Sequence, residues 1–76
     1  MPSMRKGSIA MSQVSNDLLQ HLQIEYQKNG TSTFSTQDIL SYLNDPEEYS
    51  VAIDELIRYK LIARSKYLNC FDLLEP

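Results

Sequence analysis

The sequence predicts a mainly α fold with a small β-hairpin: three short helices followed by two strands. Three observations predict it. Two apolar-striped segments meet at a tight Asn44-Asp45-Pro46 turn. Each segment carries its own start signal, Ser35 followed by Asp38 and Asp45 followed by Glu48. The run L-I-R-Y-K-L-I from Leu56 to Ile62 then gives way to two short strand-like runs that reach Leu74.

The first helix is expected to start at Ser15 or Asn16, either of which can cap it, and to run to about Lys28. With Ser15 as cap, Val14 and Leu19 hold the positions of a hydrophobic staple. Leu18, Leu19, Leu22 and Tyr26 fall within about 100° of one another on the helical wheel and form a core-facing stripe. Ile24 lies off that stripe and points outward. Gly30 suits the left-handed position just past the helix end.

Thr31 to Phe34 is short and β-branched, and reads as an extended connector or one small strand. Ser35 starts the second helix, with Phe34 and Ile39 placed as a staple. Ile39, Leu40 and Leu43 line one face. A helix of barely two turns cannot stand alone, so it needs the next helix beside it. Asp45 caps that third helix, Pro46 fits its first position, and Glu48 completes a variant capping box. Tyr49, Ala52, Ile53, Leu56 and Ile57 make its buried stripe up to about Tyr59. Ile62 to Lys66 and Cys70 to Leu74 read as the hairpin, with Tyr67, Leu68 and Asn69 at its tip. Phe71 and Leu73 share one face by the two-residue period of a strand.

The 76 residues make one domain near the lower size limit for a self-sufficient core. Residues 1–14 read as a flexible N-terminal arm carrying Arg5 and Lys6, and residues 15–76 as the domain. No apolar run is long enough for a signal peptide or a membrane span, so a cytoplasmic location is expected. The formal charge of −3 speaks against a diffusely basic binder, although local patches rather than totals set contacts. One Cys and one His, with no C-x-x-C, give no expectation of a metal or other cofactor. Cys70 reads as a small half-buried residue, and His21 as a flank of the core. Glu47/Glu48 and Asp54/Glu55 are adjacent on a helix and point in different directions, so neither pair makes a catalytic dyad. With no nucleophile–base arrangement and only two glycines for a phosphate loop, no enzyme activity is expected.

The segment Y-S-V-A-I-D-E-L-I-R-Y-K-L-I-A-R-S from Tyr49, followed by F-D-L-L from Phe71, resembles the winged helix-turn-helix domains of small bacterial regulators of the MarR, PadR and PapI/FaeA kind. The resemblance runs from Ser15 to Glu75. Tyr49, Ile53, Leu56, Leu61 and Ile62 occupy the apolar places of that pattern. Lys60 stands where the family usually has Gly, so it must find another exit from the helix or carry modest strain.

The resemblance implies that the third helix enters the major groove of double-stranded DNA and that the hairpin, the wing, touches phosphates. The outward residues of that helix are Glu47, Ser50, Val51, Asp54, Glu55 and Arg58. A helix that reads DNA wants donors, Arg or Lys for guanine and Asn or Gln for adenine. This one is acidic instead, and carboxylates oppose the phosphate neutralisation that dominates affinity. The wing tells the opposite story. Arg58, Lys60, Arg64 and Lys66 supply four of the seven bases within nine residues, with no acid among those nine.

Two functional expectations follow. In the first, the chain binds DNA in transcriptional control: Arg58, Arg64 and Lys66 contact phosphate, Lys60 and Tyr67 sit beside them, and Ser50 reads a base edge. In the second, Glu47, Val51, Asp54 and Glu55 dock a basic protein partner without DNA. A homodimer is compatible with either, through Ile24, the N-terminal arm or the outer face of the last strand.

Overall fold

A computed structural model describes residues 11–74 of the chain. Its elements follow the order read from the sequence. Helix α1 spans Gln13–Asn29, strand β1 Thr33–Ser35, helix α2 Thr36–Leu43, helix α3 Pro46–Arg58, strand β2 Ile62–Arg64 and strand β3 Cys70–Leu73. The three strands form one antiparallel sheet in the order β1-β3-β2. The connector before α2 is thus a true edge strand, and the hairpin strands are one or two residues shorter than the sequence suggests.

The local signals explain most of the boundaries. The Ser35 side chain accepts a bond from the Asp38 N–H, and the Asp38 carboxylate accepts one from the Ser35 N–H, which closes a capping box. Phe34 and Ile39, the staple pair, are both buried. Asp45 accepts from the N–H groups of Glu47 and Glu48, with Pro46 in the first position of α3. Gly30 and Asn44 end α1 and α2 in the left-handed region, at φ 71° and 58°. Each donates its N–H four residues back, to Tyr26 and Leu40 respectively.

Helix α3 exits differently. Lys60 takes φ 61°, donates to the Ile57 carbonyl, and is followed by a Leu61 N–H bond to the Leu56 carbonyl. Those two bonds define a Schellman motif, and Lys60 occupies the position that glycine normally fills.

The start of α1 departs from the sequence reading. The helix begins at Gln13, with Ser12 in the capping position, rather than at Ser15 or Asn16. Residues 13 and 14, read as part of the arm, are therefore helical, while residues 1–10, including Arg5 and Lys6, lie outside the described range. Ser15 is fully buried. The Ser12 side chain does not cap its own helix. A carboxylate from α3 does that work instead: Glu55 Oε1 accepts from the Ser12 N–H at 2.9 Å, the Ser12 hydroxyl at 3.0 Å and the Ser15 hydroxyl. Tyr26 also departs. It is 38% exposed because the last turn of α1 outruns the body it packs on.

One core joins the layers. Leu18 and Leu22 from α1, Ile39 from α2, and Ala52, Ile53 and Leu56 from α3 pack with Phe34, Ile62, Phe71 and Leu73 from the sheet. Ala52 and Leu56 are fully buried, which makes α3 the central helix. The small side chains of Ser15 and Ala52 let α1 and α3 lie close, and this is the most extensive helix pairing. His21 is half-buried and stacks on Tyr42, with ring centroids 3.9 Å apart and planes at 9°. Cys70 is half-buried and free.

Candidate nucleic-acid interface

Helical phase and the wing decide where the charged residues fall. On α3 the buried stripe is centred between Ala52 and Ile53. Glu47, Val51, Asp54 and Arg58 lie opposite it and are exposed. Ser50 and Glu55 sit on the two flanks, each about 100° from the stripe. Ser50 flanks the wing and lines a groove with Tyr49, Asp54, Arg64 and Phe71. Glu55 flanks α1 and is half-buried. Its bonds to Ser15 and then Ser12 hold its carboxyl below the ordinary value of 4.5, against a smaller opposing effect of burial. Glu55 is thus engaged inside the fold and is withdrawn from the outward acidic face.

Arg58 Nη2 donates to Asp54 Oδ2 at 2.6 Å, one turn apart. An exposed pair of this spacing contributes only about 0.3–0.5 kcal/mol. A phosphate can therefore take Arg58 from Asp54 at little cost, but Asp54 stays beside it. Val51 is 44% exposed in the middle of this face.

Strand pairing places the wing cations. Partners across an antiparallel ladder share a face. Arg64 is paired with Phe71, and Phe71 with Phe34, so Arg64 lies on the helix-facing side of the sheet. It emerges at the rim, where its guanidinium carbon is 5.7 Å from the Phe71 ring centre. Lys66 Nζ lies 5.3 Å from the Tyr67 ring centre. Arg64, Lys66 and Tyr67 line a second open groove with Thr36, Tyr49 and Asn69, of about 530 Å³. The structure thus brings Arg64 together with Ser50 on one side and with Lys66 and Tyr67 on the other. Arg58 and Lys60 lie outside both grooves.

The hairpin tip is tied down. The Thr36 N–H donates to the Asn69 carbonyl at 2.8 Å, and the Ser65 N–H donates to the Cys70 carbonyl at 3.0 Å. Tyr67 is 59% exposed and Leu68 87% exposed at this tip. Sequence reasoning assigned Tyr49 and Phe71 to the core rather than to the site, and did not single out Thr36. The signal for Phe71 was present, since a hairpin that pairs Ile62 with Leu73 must pair Arg64 with Phe71.

Among the described residues, no group of three or more His, Cys, Asp or Glu side chains is arranged to hold a metal ion. No helix among them is long and apolar enough to cross a membrane. No protein-family model, no curated protein and no solved structure matches the chain.

Proposed function

We infer that the chain is a winged helix-turn-helix domain that binds double-stranded DNA through its wing, in the service of transcriptional control. The element order and the three-stranded sheet are compatible with that layout. One observation carries the functional reading. Lys60, Arg64 and Lys66 have no carboxylate within ion-pair distance among the described residues, and Arg64 joins the groove beside α3 to the groove beside the wing. Arg58, Lys60, Arg64 and Lys66 supply phosphate contacts, Tyr67 donates its hydroxyl, and Ser50 is the side chain of α3 placed to meet a base edge.

The test is a titration of mixed-sequence duplex DNA across salt concentrations. Each phosphate contact contributes about −0.9 to the slope of log affinity against log salt. Replacing Arg64 and Lys66 together with Ala lowers that slope by about two. Absence of binding by the folded protein at low salt refutes the reading.

A second reading rests on the exposed Val51 among Glu47, Asp54 and the paired Arg58. That face fits a basic protein segment with an apolar anchor. Under this reading Val51→Glu abolishes a purified complex while Arg64→Ala leaves it intact, and retention of the complex in Val51→Glu rejects the face.

A further inference from the structure

We propose that the groove between the wing and the start of α2 is a binding site for single-stranded nucleic acid, which the domain takes more tightly than duplex. This rests on the reading of the wing as a nucleic-acid surface and deepens it.

The groove combines the two features that hold an unpaired strand, cations along the backbone path and aromatic faces for the bases. Arg64 and Lys66 supply the cations, and no Asp or Glu lines the groove. Lys66 lies over the Tyr67 ring, yet Tyr67 as a residue remains 59% exposed, so a base has room to stack on it. Tyr49 lines the far side, with its hydroxyl fixed 3.3 Å from the Thr36 hydroxyl. The volume of about 530 Å³ lies within the range that accommodates compact organic ligands, and so admits a nucleotide unit.

A duplex meets this site on worse terms. Major-groove reading brings the outward face of α3 between the phosphate rows, and that face presents Glu47 and Asp54. The groove beside Ser50 contains Asp54, whereas the wing groove contains no acid. The Thr36–Asn69 bond holds the hairpin tip against α2, so the tip does not extend away from the body to follow a second strand. A single strand needs only the wing groove and leaves the acidic face of α3 in solvent.

The experiment is fluorescence anisotropy of the full chain with labelled oligo-dT, oligo-U and a mixed-sequence duplex of equal length, at about 50 mM salt. At least one single strand is expected to bind roughly tenfold tighter than the duplex, and comparing the two distinguishes DNA from RNA as the source of the strand. Tyr67→Ala is expected to weaken single-strand binding by roughly 5- to 150-fold, the size of one lost stack, and to weaken duplex binding no more than Tyr67→Phe does, since the duplex uses only the hydroxyl. Tyr67→Phe keeps the ring and retains the single-strand affinity. Tyr67 is exposed at a turn, so circular dichroism of both variants should match the parent. Duplex binding as tight as single-strand binding, or an equal loss on both in Tyr67→Ala, overturns the proposal while the duplex reading stands. Failure of the parent protein to bind any of the three overturns both.

Discussion

Replacing Lys60 with Gly should stabilise this domain, and the gain follows from one backbone angle. Lys60 is held at φ 61° by the two hydrogen bonds that close α3. An L-residue in the left-handed region costs about 1–2 kcal/mol, because its Cβ crowds the following carbonyl oxygen. Glycine removes that crowding but loses about 0.5–1 kcal/mol more backbone entropy on folding. The net gain is about 0.5–1 kcal/mol. For a domain of this size that raises the thermal midpoint by roughly 2–8 °C.

Among the described residues, the other left-handed ones are Gly30, Asn44 and Asn69, all types that tolerate the region, so Lys60 is the misfit among them. Urea unfolding of Lys60→Gly, Lys60→Asn and Lys60→Ala separates backbone from charge. Gly should be most stable, Asn intermediate and Ala no better than Lys. A Gly variant no more stable than the parent, or an Ala variant as stable as Gly, would refute the argument. The same substitution removes a proposed phosphate contact, so Lys60→Gly should bind DNA with a shallower salt slope while resisting urea better.

Glu55 makes stability depend on pH. Its folded carboxyl lies below the ordinary value of 4.5, so its contribution is present above that value and is lost as pH falls through the lowered one. The parent's urea midpoint should therefore fall as pH drops below about 4.5, and Glu55→Gln should flatten that part of the profile; an unchanged profile would reject the clamp on α1. Ser35→Ala removes the capping side chain of α2 and should cost about 1 kcal/mol in urea unfolding, with Ser35→Asp retaining most of it. Leu56→Ala, at a fully buried site, should cost about 2–5 kcal/mol, read as a large drop in the urea midpoint followed by far-ultraviolet circular dichroism.

Those positions also show how far the sequence could be read. The Ser35 box, the Asp45 cap and the Phe34–Ile39 staple act between residues a few positions apart, so their signals lie in adjacent letters. The start of α1 does not. Its cap comes from Glu55, 40 residues from Ser15 and 43 from Ser12. Helical phase puts Glu55 on the flank of α3 without saying which element lies against that flank. Tyr26 fails for a related reason, because periodicity gives the direction of a side chain and not the length of its neighbour. The wing cations were legible as a cluster. Their division between two grooves required the Arg64–Phe71 register, which depends on where the hairpin turns.

The net charge of −3 understates how basic the wing is, because most of the acids serve the fold. Asp38 and Asp45 cap helices, Glu55 caps α1 from a distance, Asp54 holds Arg58, and Asp72 accepts from the Thr33 hydroxyl at 2.7 Å on the outer face of the sheet. Glu47 and Glu48 sit in the first turn of α3, where the helix dipole favours them. The acidity of α3 therefore has a structural origin that is independent of any ligand, and it does not by itself argue for a basic partner. Lys60, Arg64 and Lys66 have no such explanation, since none of them forms an ion pair among the described residues. Asp54 shares the groove beside Ser50 with Arg64, whereas no Asp or Glu lines the wing groove with Arg64 and Lys66. This asymmetry favours a nucleic-acid ligand held by the wing over a docked partner on α3.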